Sequence, residues 1–124
     1  MCEVVQGSVR EREIDPLDLC IPRCSPSALA GDSPADNAQI VREVFAGANG
    51  PRRDAVLLNA AGAIAAAGHA ADLREGLVIA AKTVDSGAAA ARLEELVAFS
   101  VASSAARARQ VSAERENDDD AGSS

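Results

Sequence analysis

Between Cys2 and Pro16 the chain reads CEVVQGSVREREIDP, with the apolar positions Val4, Val9 and Ile14 set among polar ones on either side of Gln6-Gly7. That pattern predicts a β-hairpin whose turn lies where glycine accepts positive φ, closed by Asp15-Pro16. The next stretch, LDLCIPRCSPSALAGDSP, holds three prolines among small polar residues and predicts an irregular connection. From Ser33 the rhythm changes to that of a helix. Ser33 is the N-cap, Pro34 the first helical residue, Ile40, Val41, Val44 and Phe45 form one face, and Gly47 ends the element.

The second helix is unlike the first. Pro51 and Asp54 mark its start and Gly68 its end, but Val56, Leu57, Leu58, Ala60, Ala61, Ala63, Ile64, Ala65 and Ala66 go round every side. A surface helix keeps a polar face, so an all-apolar one raises the question of what buries it. After a link at Gly68 to Ala70, Asp72 caps a third helix with Glu75 placed for a capping box. Leu73, Leu77, Ala80, Ala81 and Val84 line one face up to Asp85. Ser86-Gly87 breaks the chain before a fourth helix from about Ala88, which carries Leu93, Leu96, Val97 and Val101 opposite Arg92, Glu94 and Glu95. Beyond Ser104, ARARQVSAERENDDDAGSS has too little to bury and predicts a disordered acidic tail over 105–124. The ordered part, 1–104, therefore reads as mainly α: one hairpin followed by about four helices.

Composition sharpens the question of what covers the second helix. The apolar share of the 124 residues is 48% but the aromatic share is 2%, so much of it is alanine, which brings little area to a core. A net charge of −7 with scattered basic residues argues against a nucleic-acid partner. No apolar run reaches the length of a membrane span and no signal segment opens the chain, so a soluble cytoplasmic protein without a membrane partner is expected. Cys2, Cys20 and Cys24 form neither a disulfide framework nor a zinc pattern, and with His69 far away they read as reduced thiols.

Residues for chemistry are sparse. The glycines punctuate helix ends and build no phosphate loop. Glu94-Glu95 falls on a predicted solvent face, and Asp118, Asp119 and Asp120 fall in the tail. His69 sits in a short link without a neighbouring nucleophile or orienting acid. Ser86, Ser100 and Ser103 lack a nucleophile-elbow context, and Ser86 serves better as a helix cap. Asn59, inside the apolar helix, predicts a polar tie to a neighbouring loop or strand. No catalytic, cofactor-binding or metal-binding residue is assigned.

Four strings together resemble the carboxyl-terminal part of the anthranilate phosphoribosyltransferase family of glycosyltransferases. They are EVVQGSVREREIDPLDL (Glu3 to Leu19), DNAQIVREVFAG (Asp36 to Gly47), GPRRDAVLLNAA (Gly50 to Ala61) and LREGLVIAAKTVDSGAAAARLEELVAFS (Leu73 to Ser100). The resemblance implies a tryptophan-biosynthesis enzyme that moves phosphoribosyl from phosphoribosyl pyrophosphate to anthranilate with magnesium. It implies a large α/β domain joined to a small helical domain through which the complete enzyme forms a homodimer. Residues 1–104 would be the carboxyl-terminal part of that large domain, with the second helix packed between sheet and neighbouring helices.

The family's glycine-rich G-T-G-G-D loop, its N-H-G-N-R segment, its anthranilate-contacting arginine and its Asp-Glu magnesium pair lie upstream of the hairpin and have no counterpart here. Cys2 stands where the family often has tryptophan and Cys20 where it often has glycine. The expectation is a fragment inactive alone, binding no cofactor itself. The alternative is a non-catalytic helical interaction module, or one half of a split enzyme.

Overall fold

The computed structural model describes residues 1–121. Strands β1 (Cys2–Val5) and β2 (Ser8–Glu11) precede helices α1 (Pro34–Phe45), α2 (Pro51–Ala66), α3 (Leu73–Asp85) and α4 (Ala88–Ala121). The chain is mainly helical with a small amino-terminal antiparallel sheet, as the pattern predicts. Contacts divide it into two compact units, Met1–Gly87 and the stretch from Ala88 onward.

In the first unit β1 and β2 pair antiparallel with Val4 opposite Val9. Gln6 and Gly7 turn the chain with φ of 48° and 79°, the two positive values that a tight two-residue hairpin turn requires. The connection after the hairpin is more ordered than its composition suggests. Pro16–Leu19 and Pro26–Ala28 each form a single 3-10 turn, because proline at the first position presets φ and Asp15 accepts the Leu17 N–H at 3.0 Å.

The helix caps explain the helix boundaries. Ser33 and Asp36 form a full capping box: the Asp36 N–H donates to Ser33 Oγ at 3.2 Å, and the Ser33 hydroxyl and N–H donate to the Asp36 carboxylate at 2.6 and 3.2 Å. Asp72 accepts the Glu75 N–H at 2.9 Å, but the return bond is displaced by one residue, since the Glu75 carboxylate takes the Ala71 N–H at 2.7 Å. Gly68, at φ 77°, ends α2 in a left-handed cap, with the Gly68 and His69 N–H groups donating to the carbonyls of Ala65 and Ile64.

Helices α2 and α3 pack antiparallel, and their crossing is built from small residues. Ala61 is fully buried, Ala80 and Val84 nearly so, and no large side chain in the described residues is completely enclosed. A Cβ built on Gly76 would lie 2.7 Å from the Ala61 carbonyl oxygen and 3.0 Å from its Cα. Only glycine lets the two backbones come this close. Helix α1 touches α3 and buries Val44, with Ile40 and Phe45 half-buried; Val41, expected on that face, is exposed.

Helix α2 stays largely unwrapped. Leu57, Leu58 and Ile64 are half-buried and Val56 is exposed. In the second unit α4 is one continuous helix to Ala121. The predicted tail from 105 thus continues as helix, and residues 122–124 of it lie outside the described residues. No glycine or proline interrupts 88–121, and alanine with straight-chain charged residues carries a helix on propensity without burial. Leu96, Phe99 and Val101 on this helix are exposed.

Two predictions follow from the packing and the caps. Gly76→Ala should lower stability by about 1–2 kcal/mol, the overpacking cost less the gain in helix propensity. Gly62→Ala, whose Cβ would meet only Leu73 Cδ2 at 4.0 Å, should raise it by up to about 1 kcal/mol. Urea unfolding of both variants checks the contrast. The second concerns Asp36, whose carboxyl is held below its usual value by the Ser33 hydroxyl and then by the Ser33 N–H. A group depressed in the folded state stabilises it above the unfolded value and loses that contribution as pH falls through the lowered folded value. A carbon-detected NMR titration should show Asp36 returning toward the ordinary aspartate value in Ser33→Ala; identical titrations would contradict the cap.

Candidate functional site

A cleft of about 680 Å³ opens between the hairpin, the Pro16–Leu19 turn and the facing ends of α2 and α3. Arg74, on the first turn of α3, donates a guanidinium N–H to the Asp18 carbonyl and so docks the turn against the helix pair. Two ion pairs border the cleft. Glu3 faces Arg12 at 3.8 Å, and Asp15 takes Arg23 on one oxygen at 2.5 Å while its other oxygen holds the Leu17 N–H. These pairs are exposed and each contributes at most about 1 kcal/mol.

A reacting site needs a nucleophile within reach of a base, or a base held by an orienting group. The thiol in this cleft, Cys2, has the Glu11 carboxylate at 3.9 Å and shares the cleft with neither His69 nor a serine. The other groups singled out from the sequence are scattered. His69 is exposed at the end of α2, and only its backbone is engaged there. Ser86 sits at the C-cap of α3, where its hydroxyl donates to the Thr83 carbonyl at 3.1 Å. Ser100 and Ser103 are exposed on α4, and Glu95 pairs with Arg92 on the exposed side of the same helix. The side chains of Asp118, Asp119 and Asp120 lie outside the described residues.

Asn59 corrects the sequence reading. It is exposed, and its amide donates to the Ala55 carbonyl one turn back at 2.8 Å, so it ties the helix to itself and to no neighbouring element. The α2–α3 crossing turns small residues inward, and Asn59 does not share their face.

Arg53 is the residue that sequence reasoning passes over. It is 8% exposed, and Nη2 donates to Asp85 Oδ1 at 2.7 Å, joining the start of α2 to the end of α3. Its spacing holds the signal: Arg53, Leu57 and Ala61 recur every fourth residue and share one helix face. An arginine at a helix start and an aspartate at a helix end each oppose the local helix dipole, and pairing them removes both penalties.

Among the described residues no group of three or more His, Cys, Asp or Glu is arranged to hold the magnesium ion that the family resemblance implies. No described helix is long and apolar enough to cross a membrane.

Comparison with known proteins places this geometry. The profile described as glycosyl transferase family, a/b domain, matches residues 1–90. An anthranilate phosphoribosyltransferase of Desulforudis audaxviator (strain MP104C) is 53% identical over 97 residues, which cover 78% of this chain and 28% of that protein. One of Anaeromyxobacter dehalogenans (strain 2CP-C) is 50% identical over 98 residues, 79% of this chain and 29% of the relative. A third, of Geobacter sulfurreducens, is 48% identical over 97 residues with 78% and 28% covered. The chain spans under a third of the length of these curated relatives.

The turn beside the cleft yields a stability prediction. Cys20 closes the Pro16–Leu19 turn at φ 59° and ψ 27°, a left-handed conformation that costs a residue with a Cβ about 1–2 kcal/mol. Glycine adopts it freely but loses part of that gain through the entropy of its unfolded chain. Cys20→Gly should therefore stabilise the chain by up to about 1 kcal/mol, read as a higher midpoint in urea; a lower midpoint would mean the thiol makes a contact that offsets the strain.

Proposed function

The chain belongs to the glycosyl transferase family, in the family's a/b domain, and from that premise we propose that it is a carboxyl-terminal part of an anthranilate phosphoribosyltransferase that supplies scaffold and not reacting groups. The observation that carries this reading is the pairing of 53% identity with coverage of only 28% of the relative. The cleft adds support, because Glu3 and Asp15 on its wall are engaged in ion pairs and its thiol shares it with neither His69 nor a serine. In the complete enzyme the reaction would transfer phosphoribosyl from its pyrophosphate donor to anthranilate. Donors fixed by groups outside these residues would stabilise the charge that develops as pyrophosphate leaves. Magnesium would be held there as well. The enzyme would work in the cytoplasm as a homodimer formed through a helical domain not among these residues.

The open faces call for an apolar neighbour, either the rest of one longer chain or, in the split-enzyme alternative, a separate amino-terminal partner. Val4, Val9 and Val78 are each at least half exposed, and α2 keeps three aliphatic side chains half-covered. Such surfaces belong against another apolar surface.

The purified chain, given anthranilate and phosphoribosyl pyrophosphate with magnesium, should form no phosphoribosyl anthranilate above the uncatalysed background. Turnover by the chain alone would refute the scaffold reading. Activity restored on mixing with a separately expressed amino-terminal part would select the split-enzyme variant.

A further inference from the structure

Residues 15–32, between the hairpin and α1, form two 3-10 turns, neither of which has a buried residue. From 20 to 32 every residue is exposed except Ile21 and Ala28, which are half-buried. The backbone bonds of the stretch stay within it: the Cys20 and Ile21 N–H groups donate to the Leu17 and Pro16 carbonyls, and those of Leu29 and Ala30 to the Pro26 and Ser27 carbonyls. Arg23 likewise pairs with Asp15 inside it. Two bonds reach the helix pair. Arg74 donates to the Asp18 carbonyl, and Arg52 Nη2 donates to the Ala30 carbonyl at 2.8 Å. Each arginine is the second residue of its helix, Arg52 of α2 and Arg74 of α3. The Arg53–Asp85 pair joins the start of α2 to the end of α3, so the two helix starts lie at opposite ends of the pair. With 16 residues in α2, those ends are roughly 24 Å apart. The stretch therefore runs the length of the pair, pinned at each end by an arginine on a backbone oxygen.

We propose that residues 15–32 are a two-pin strap that opens and closes as one unit, and with it a wall of the 680 Å³ cleft, while the α2–α3 seam stays folded. Asp15, Asp18 and Leu19 line that cleft, so lifting the strap takes this part of its wall away. A segment opens locally at a cost set by the contacts it gives up, and here few are buried. Pro16, Pro22 and Pro26 fix φ along the stretch and the two turns brace it, so release at one pin is carried toward the other. Arg52 favours opening as well. Its Nε is buried without an acceptor while the side chain is held on Ala30, and a freed side chain can turn that donor to water. Against opening stands Asn37 of α1, which lies so close to Gly31 that a Cβ there would fall 1.6 Å from Asn37 Oδ1. Every group belongs to this chain, so the strap does not depend on the transferase reading.

The test is amide hydrogen exchange, read by NMR on the full 124-residue chain, in the unaltered protein and in Arg52→Gln and Arg74→Gln. Loss of either pin should be felt at the other. In Arg52→Gln the Cys20 and Ile21 amides, beside the far pin, should exchange at least threefold faster. In Arg74→Gln the Leu29 and Ala30 amides should do the same, with Ala61 and Ala80 unchanged in both variants. Arg74 is exposed, so Arg74→Gln with its helical circular dichroism retained decides the question even where Arg52→Gln fails to fold. Acceleration confined to the end whose arginine was replaced, or exchange across 15–32 that rises only together with that of Ala61 and Ala80, would overturn the proposal.

Discussion

The first unit hangs on the approach of α3 to α2 at Gly76 and Ala61. With 2.7 Å between a hypothetical Cβ and the Ala61 carbonyl oxygen, no other residue at 76 lets the backbones meet. The rest of the contact follows from that separation: Ala80 and Val84 continue the seam along α3, and Arg53 and Asp85 fasten its far end. The ion pair is strongest as a constraint on register. Asp85 remains over half exposed, so the attraction is screened, whereas removing Asp85 would leave Arg53 buried without its acceptor.

A seam of glycine and alanine is close but small. It buries little aliphatic area, and Leu57, Leu58 and Ile64 remain only half-covered around it. Each such side chain leaves roughly 1 kcal/mol of burial unrealised, so a few of them weigh against a net stability that is itself only about 5–15 kcal/mol. This is the physical content behind reading the chain as part of a larger domain: α2 has the composition of an interior helix and, in the first unit, meets a neighbour along one seam. The family assignment and the short coverage of the relatives point the same way.

Much of the fold was legible because its signals are local. The hairpin turn, Pro34 after Ser33, Pro51 after Gly50, and Asp72 before Leu73 each announce a boundary through chemistry confined to a few residues. Three features escaped. Asp36 as partner of Ser33 departs from the usual glutamate or glutamine at that place. Asn59 within an apolar helix predicts a tie to a neighbouring element, but its orientation depends on which face α3 packs against. Arg53 carries no reading of its own between Pro51 and Asp54, and only its phase with Ala61 marks it as interior. The α4 extent differed because helix propensity and burial are separate criteria, and the sequence after Ser104 meets the first without the second. The lack of an assigned catalytic set was read from motifs, which report the presence of chemistry better than the packing of a scaffold.

Native-state hydrogen exchange on the whole chain tests most directly whether the α2–α3 seam holds the first unit together. The slowest amides should cluster on α2 and α3 around Ala61, Ala80 and Val84 and share one opening free energy, with the hairpin exchanging faster. Slowest exchange in the hairpin, or protection in α2 that does not rise and fall with that in α3, would contradict the account.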